Sequence, residues 1–363
     1  MINVFRLFAL MTCILVLTGC RSLGPNELTG THNAYNQAIV NSVDNQMLHN
    51  LVRLRYRDNP SFLEINSVTA SMELESKVGI DTELSGDSGS DVWMPNLGAT
   101  YSSGPTISYS PLKGEDFLTN ILTPISLESV IVLTQSGWSS GRVFGIAVER
   151  INDLKNAPTA SGPTPAMAPK DQDQFLQFLE LLEAMREEAL IHSTINAESG
   201  ELYILIDPDN GTNRVPEAAT FLAILGLDPD VEKFTLDGDV FSQDETSISM
   251  RTRSIMSILF YLSQNVQVPE EHKAQGLVTV TRTASGSEYD WSRSAAGARF
   301  QVLTSESRPK NTTIAVPYRD HWFYIDESDL DSKSTFMLLS QLFNLQAGAV
   351  SHPGPTLTIP VSR

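Results

Sequence analysis

Residues 35–60 read YNQAIVNSVDNQMLHNLVRLRYRDNP, and residues 62–84 read FLEINSVTASMELESKVGIDTEL. In the first stretch Tyr35, Ile39, Val43, Met47 and Leu51 recur every four residues, with Leu48 and Leu54 beside them. That spacing lays an apolar stripe along one side of a helix. The helix is predicted over 35–56 and stops before Asn59-Pro60, because a proline ring disfavours helical backbone at the residue ahead of it. The second stretch changes period: Val78, Ile80, Thr82 and Leu84 alternate with polar residues, the pattern of a half-buried strand. A helix handing over to long alternating segments marks an α+β chain with mainly antiparallel sheet.

Working outward, residues 97–109 form a second extended segment, interrupted by Gly104-Pro105, with a turn at 86–91. Together with 62–84 they predict a long antiparallel hairpin. Short helices follow near Glu115 and after Pro124, the second capped by Ser126 and burying Leu127, Val130, Ile131 and Leu133. Residues 143–148 read as a strand. Residues 156–170, rich in Pro, Ala, Ser and Thr and free of acidic side chains, read as extended and mobile. They are either a linker between two regions, 35–155 and 171–363, or a loop inside one. Helix resumes at 171 with Phe175, Phe178, Leu179 and Leu182 on one side. A strand at 202–206 runs into the turn Asp207-Pro208-Asp209-Asn210-Gly211, and a helix at 216–225 ends at Gly226. Strands are expected at 247–251, 277–283, 298–304, 313–316 and 322–325, and a helix at 254–263. Asp329 or Asp331 caps a last helix bearing Phe336, Leu339, Leu342 and Phe343, and 356–361 adds an edge strand.

Upstream of the first helix lie two segments. Residues 21–33 are rich in Gly, Ser, Thr and Asn and read as a tether; 13 extended residues reach about 45 Å. Before them a basic start at Arg6, an apolar run over 7–17 and small residues at the exit describe a secretory signal over 1–19. The run is too short to cross a bilayer, which takes about 20 apolar residues. Its end, Leu17-Thr18-Gly19-Cys20, resembles the lipobox of bacterial lipoproteins. The resemblance implies cleavage before Cys20, acyl chains on Cys20, and residues 20–34 as lipidated Cys and tether. It also implies an outer-membrane address, since Arg21 stands where Asp would retain such a protein in the inner membrane.

Composition narrows the rest. Of 363 residues 41% are hydrophobic, enough for a sizeable core. The net charge is −18, and about −19 once Arg6 leaves with the signal. Such a surface repels phosphate backbones and anionic headgroups, so nucleic acid is excluded as a partner and membrane attachment falls to the acyl chains. Both cysteines, Cys13 and Cys20, lie in the signal or at its end, which leaves no thiol chemistry for the body.

Chemical motifs fail on context. Gly137-Trp138-Ser139-Ser140-Gly141 fits G-x-S-x-G, but helix precedes and strand follows, the reverse of a hydrolase elbow. Ser110-Pro111-Leu112-Lys113 fits S-x-x-K without the companion S-D-N and K-T-G elements. Asp207, Asp209 and Gly211 lack calcium-loop spacing: Gly211 is fifth, and the twelfth position is Ala218. Asp326, Glu327, Asp329 and Asp331 read as helix-capping acids, His321 as a turn residue between strands, and Glu180, Glu183, Glu187 and Glu188 as a solvated face. No metal or cofactor site is expected. Arg53, Arg55 and Arg57 complement the C-terminus of the first helix or dock a partner, with Arg53 and Arg57 on one face and Arg55 turned away.

LVRLRYRDNPSFLEINSV from Leu51, GPTISYSPLKGEDFLTNILTPI from Gly104, SGW from Ser136, RTRSIMSILFYLS from Arg251 and WFYIDESDLDSKSTF from Trp322 resemble a group of proteobacterial lipoproteins of uncharacterised activity. The likeness covers much of the mature chain apart from 156–170 and parts of the middle, and it carries over no functional residue besides Cys20. The expectation is an outer-membrane-anchored, periplasm-facing lipoprotein acting as a non-catalytic scaffold, accessory or docking subunit with an envelope protein partner. The alternative is a periplasmic hydrolase or ligand-binding lipoprotein whose site is assembled from distant residues.

Overall fold

The computed structural model describes residues 23–83, 92–163, 165–170, 172–196, 198–207, 215–238 and 245–347. The signal, Cys20, the 86–91 turn, most of the 207–211 turn and the 356–361 piece lie outside them. The chain divides into two units, Ser61–Gly114 and the remainder.

The smaller unit is the expected hairpin. Strands β1 (Leu63–Glu83) and β2 (Val92–Pro111) pair antiparallel from Leu63 opposite Pro111 to Glu83 opposite Val92, with one bulge between Ile65 and Ser67. At about 3.4 Å per residue the ribbon is about 70 Å long. Gly104 and Pro105 do not interrupt it; they stay in register with Ser71 and Ala70. A two-stranded ribbon has an open edge on each strand, where a proline's missing N–H costs no ladder bond.

The larger unit begins with α1 (Leu23–Arg55). The helix starts twelve residues before the predicted point, so most of the segment expected as an extended tether is helical. Met47, Leu48, Leu51, Val52 and Leu54 are buried, whereas Val40 and Val43 are exposed, so only the C-terminal half of the stripe enters the core. Three helices follow: α2 (Glu115–Leu122), α3 (Leu127–Gln135) and α4 (Ser140–Ala147). Ser126 caps α3 by accepting a hydrogen bond from Ser129 N, as its sequence position suggested. The strand expected at 143–148 is instead α4, and β3 (Val148–Ile151) starts only at Val148. Every residue of α4 except Arg142 is buried. A short helix buried on all sides shows no polar face, so its periodicity cannot be seen.

A six-stranded sheet forms the centre. Its order is β4 (Leu154–Lys155), β3, β8 (Ser247–Thr252), β7 (Lys233–Asp237), β6 (Leu202–Ile206), β5 (Ile191–Ile195), antiparallel throughout except for the parallel pair β7–β8. Helices α5 (Gln172–Glu187) and α6 (Pro216–Leu225) pack on each other, with Phe178 and Phe221 stacked at 5.5 Å and Phe175 at 5.6 Å from Phe178. Full burial of each such ring contributes about 1.5–3 kcal/mol. At the C-terminus of α6, Gly226 adopts φ 66°, the left-handed cap for which glycine is suited.

Helix α7 (Ile255–Ser263) is the hub and touches α1, α2, α4 and α9 (Leu330–Ala347). Its Ile255, Ile258, Leu259, Tyr261 and Leu262 are wholly enclosed. After it come α8 (Glu270–Ala274) and a three-stranded antiparallel sheet ordered β10 (Ala315–Tyr318), β11 (His321–Tyr324), β9 (Leu303–Ser305). The strand expected at 298–304 is reduced to β9, because residues 297–299 form a 3-10 turn. In 277–283 there is only a pair of isolated bridges, from Arg282 to Met167 and Glu288. The fold class is α+β with mainly antiparallel sheet, as the changing periodicities indicated.

Residues 156–170 lie within this unit. Ala157 and Ala160 are buried, Thr281 Oγ1 donates to Pro165 O at 2.5 Å, and Arg282 N donates to Ala166 O at 3.0 Å. The fastening residue is Arg253, 1% exposed, which the sequence patterns did not single out. It donates to Ser161 Oγ and to the carbonyls of Ile146, Val148 and Asn156, and lies 4.1 Å over the Tyr261 ring.

Candidate functional site

The predicted arginines stand where α1 ends, but the helical argument placing Arg53 and Arg57 on one face does not hold. The helix stops at Arg55, and Arg57 has φ 61°, so the chain leaves helical geometry between them. Arg55 is buried and donates from Nη1 to Thr279 O at 3.0 Å, while Arg57 reaches the Thr279 hydroxyl. The two therefore converge on one residue. Burial pulls the Arg55 guanidinium down to about 10, against the supporting charge of Glu288. As an internal cation, Arg55 is not available as a docking side chain.

Arg55 helps line a cavity of about 360 Å³ with Asn265, Lys273, Glu288, Trp291 and Gln301. Arg55 Nε and Asn265 Nδ2 are buried without a hydrogen-bond partner. Close packing defines the wall at Gly297, where an added Cβ would run into the Trp291 carbonyl oxygen.

Beside the end of α1 lies a second cluster, drawn from three elements. Tyr56 follows α1, Glu271 and His272 belong to α8, and His321 opens β11 after the two-residue turn Arg319-Asp320. Both turn residues have positive φ, 47° and 64°, the conformation of a type I′ hairpin. Tyr56 Oη and His272 Nδ1 are 2.7 Å apart, and His321 Nδ1 lies 3.3 Å from Arg319 O. The Nε2 atoms of His272 and His321 face Glu271 Oε1 at 3.9 and 3.5 Å. The two imidazoles meet edge to face at 5.0 Å. His272 titrates below its ordinary range, chiefly because of burial and then because of neighbouring His321, which favours the neutral ring. Burial lifts Tyr56 to about 12 and keeps its hydroxyl protonated. Arg319 pairs with Asp58 at 3.0 Å, and Tyr318 also donates to that carboxylate.

Other sequence candidates are accounted for elsewhere. Ser139 caps α4, accepting from Arg142 N at 3.2 Å and donating to Glu183 Oε1, so helix rather than strand follows it. Its hydroxyl meets a carboxylate directly, with no imidazole between them. Glu183 is not part of a solvated face. It also accepts from Gly141 N at 3.2 Å and Arg299 Nη2 at 2.9 Å, and burial opposes its ionisation less than these bonds favour it. A Cβ on Gly141 would lie 2.6 Å from Glu183 Oε1. The C-terminal acids act singly: Asp329 caps α9 through Ser332 N, Asp331 pairs with Arg142, Glu327 pairs with Lys333, and Asp326 accepts from Ser328.

The His–Glu cluster escaped the sequence reading because His272 and His321 are far apart in the chain, beyond the reach of any local metal-ligand spacing. The adjacent pair Glu271-His272 was the only local signal. Compared with known proteins, the chain matches no family model, no curated protein and no solved structure.

Proposed function

We propose that the chain is an outer-membrane lipoprotein whose acidic α+β body faces the periplasm and serves as a non-catalytic accessory, scaffold or docking subunit of the envelope. The observation that carries this reading is Leu17-Thr18-Gly19-Cys20 at the exit of a short apolar run. It is supported by the described residues, among which no helix is long and apolar enough to cross a membrane. Two acyl signals hold a protein on a bilayer stably, at about 0.8 kcal/mol per buried methylene. Cys20→Ala should abolish labelling by radioactive palmitate and move the protein from the membrane fraction to the soluble one; unchanged labelling refutes the anchor. Crosslinking in intact cells should recover a defined envelope protein with the chain, and recovery of the chain alone counts against the scaffold role.

A second reading, a ligand-binding lipoprotein, is favoured by the cavity beside Arg55. Its volume lies within the common range for small-molecule sites. Arg55, Lys273 and the amides of Asn265 and Gln301 in its lining can donate to a ligand rich in acceptors, such as a small carboxylate. A thermal-shift screen of mono- and dicarboxylates tests it: a saturable rise in melting temperature supports this reading, and no shift across the series removes it.

A further inference from the structure

We propose that Glu271, His272 and His321 form a binding site for a divalent transition-metal ion, zinc foremost. Two imidazole nitrogens and one carboxylate oxygen make a borderline-hard ligand set suited to zinc and its neighbours in the first transition row. The three ligand atoms lie within 4.8 Å of one another. Ligands 2.0–2.1 Å from a tetrahedral ion are separated by about 3.3 Å. The Nε2–Oε1 distances of 3.5 and 3.9 Å need a closure of a few tenths of an ångström, within the swing of the exposed Glu271 side chain, and the two imidazole nitrogens, within 4.8 Å of each other, draw together on binding.

The hydrogen bonds around the rings give the stronger argument. A carbonyl oxygen can only accept, so His321 Nδ1, 3.3 Å from Arg319 O, carries the proton, and the Nε2 of the neutral ring is left with a bare lone pair. His272 has its Nδ1 against Tyr56 Oη at 2.7 Å, and in the tautomer that donates from Nδ1 to this oxygen its Nε2 is bare as well. Metal-ligating histidines are oriented in this way: the far nitrogen is fixed by an oxygen partner, and the near one is presented to the ion. The positive charge of Arg319, two residues before His321, is offset by Asp58 at 3.0 Å. Three protein ligands leave coordination positions for water or for an incoming group.

The test uses the full chain without an affinity tag, in detergent, stripped with EDTA and then titrated with Co2+ and with Zn2+. Expected are one ion per chain, visible Co2+ absorption bands of a low-coordinate site, and displacement of Co2+ by Zn2+. Glu271→Gln changes an exposed side chain and should weaken Zn2+ binding at least about 10-fold, and His321→Ala further still. Tyr56→Phe, which removes the outer partner of His272, should weaken it by about 10- to 100-fold. His192→Ala should bind as the parent does. Circular dichroism confirms that each variant folds; if His321→Ala does not, Glu271→Gln decides. Absence of stoichiometric binding by the parent, or unchanged affinity in folded Glu271→Gln and His321→Ala, overturns the site. This outcome is independent of the membrane anchor, which is read by lipid labelling.

Discussion

Arg253 shows what one buried cation can organise. Burial lowers its pKa, yet the guanidinium spends its donors on three backbone carbonyls and one hydroxyl and rests on the face of Tyr261. Asn156 completes the same knot. Its Nδ2 donates to Gly145 O and Val148 O at 2.8 Å each, and its Oδ1 accepts from Tyr261 Oη at 2.8 Å. Removing the guanidinium strands several buried acceptors, each costing about 1–3 kcal/mol if left unpaired. Arg253→Met, which keeps the bulk and loses the donors, should destabilise the fold by roughly 3 kcal/mol or more. Urea denaturation followed by tryptophan fluorescence measures this; a midpoint equal to the parent's would show that water replaces the arginine. The sequence did not announce the knot, because Arg253 sits between a strand and a helix cap in a segment that reads simply as polar. Arg53, Arg55 and Arg57 were conspicuous, but their geometry depended on whether the helix reached Arg57, which the positive φ of that residue decides.

At the scale of elements, the β10–β11 hairpin repays attention because it delivers His321. Its turn places Arg319 and Asp320 in left-handed backbone, which costs an ordinary residue about 1 kcal/mol. Asp320→Gly should therefore raise stability by about 1 kcal/mol, read as a shift in the thermal midpoint, while Arg319 keeps its contacts with Asp58 and Tyr56. A fall in the midpoint would mean that the Asp320 side chain contributes more than the turn strain it imposes. Elements with an unbroken apolar stripe and a polar back were legible: α5, α7 and α9 lie where the spacing put them, and α1 ends there although it starts earlier. The long hairpin was legible from alternation. The edge strand β5 was not, because Ile191-His192-Ser193-Thr194-Ile195 has no strong alternation and is specified by pairing with β6. Nor was the Glu271–His272–His321 cluster, since tertiary packing alone brings α8 to β11.

For the molecule as a whole, acid should be the condition that loosens the larger unit first. The Tyr318 hydrogen bond, and after it Arg319, hold Asp58 below the ordinary carboxylate range despite partial burial, fastening the end of α1 to the β10–β11 hairpin. Glu183 is likewise held down while it joins α5 to α4. A carboxylate depressed in the fold stabilises it above its unfolded pKa of about 4, and the contribution disappears as pH falls through the folded value. The urea midpoint should hold through neutral pH and decline below about pH 4. Asp58→Asn should start lower and decline less steeply; parallel profiles would remove Asp58 from the account.

Helix α1 begins three residues after Cys20, and at 1.5 Å per residue its 33 residues span about 50 Å. An extended tether would let an anchored body wander through a hemisphere and present any face to its surroundings. On the lipid anchor proposed above, a stiff rod whose far half is built into the core would turn that wandering into a swing about one pivot near the bilayer, and the reach of the body would be a radius.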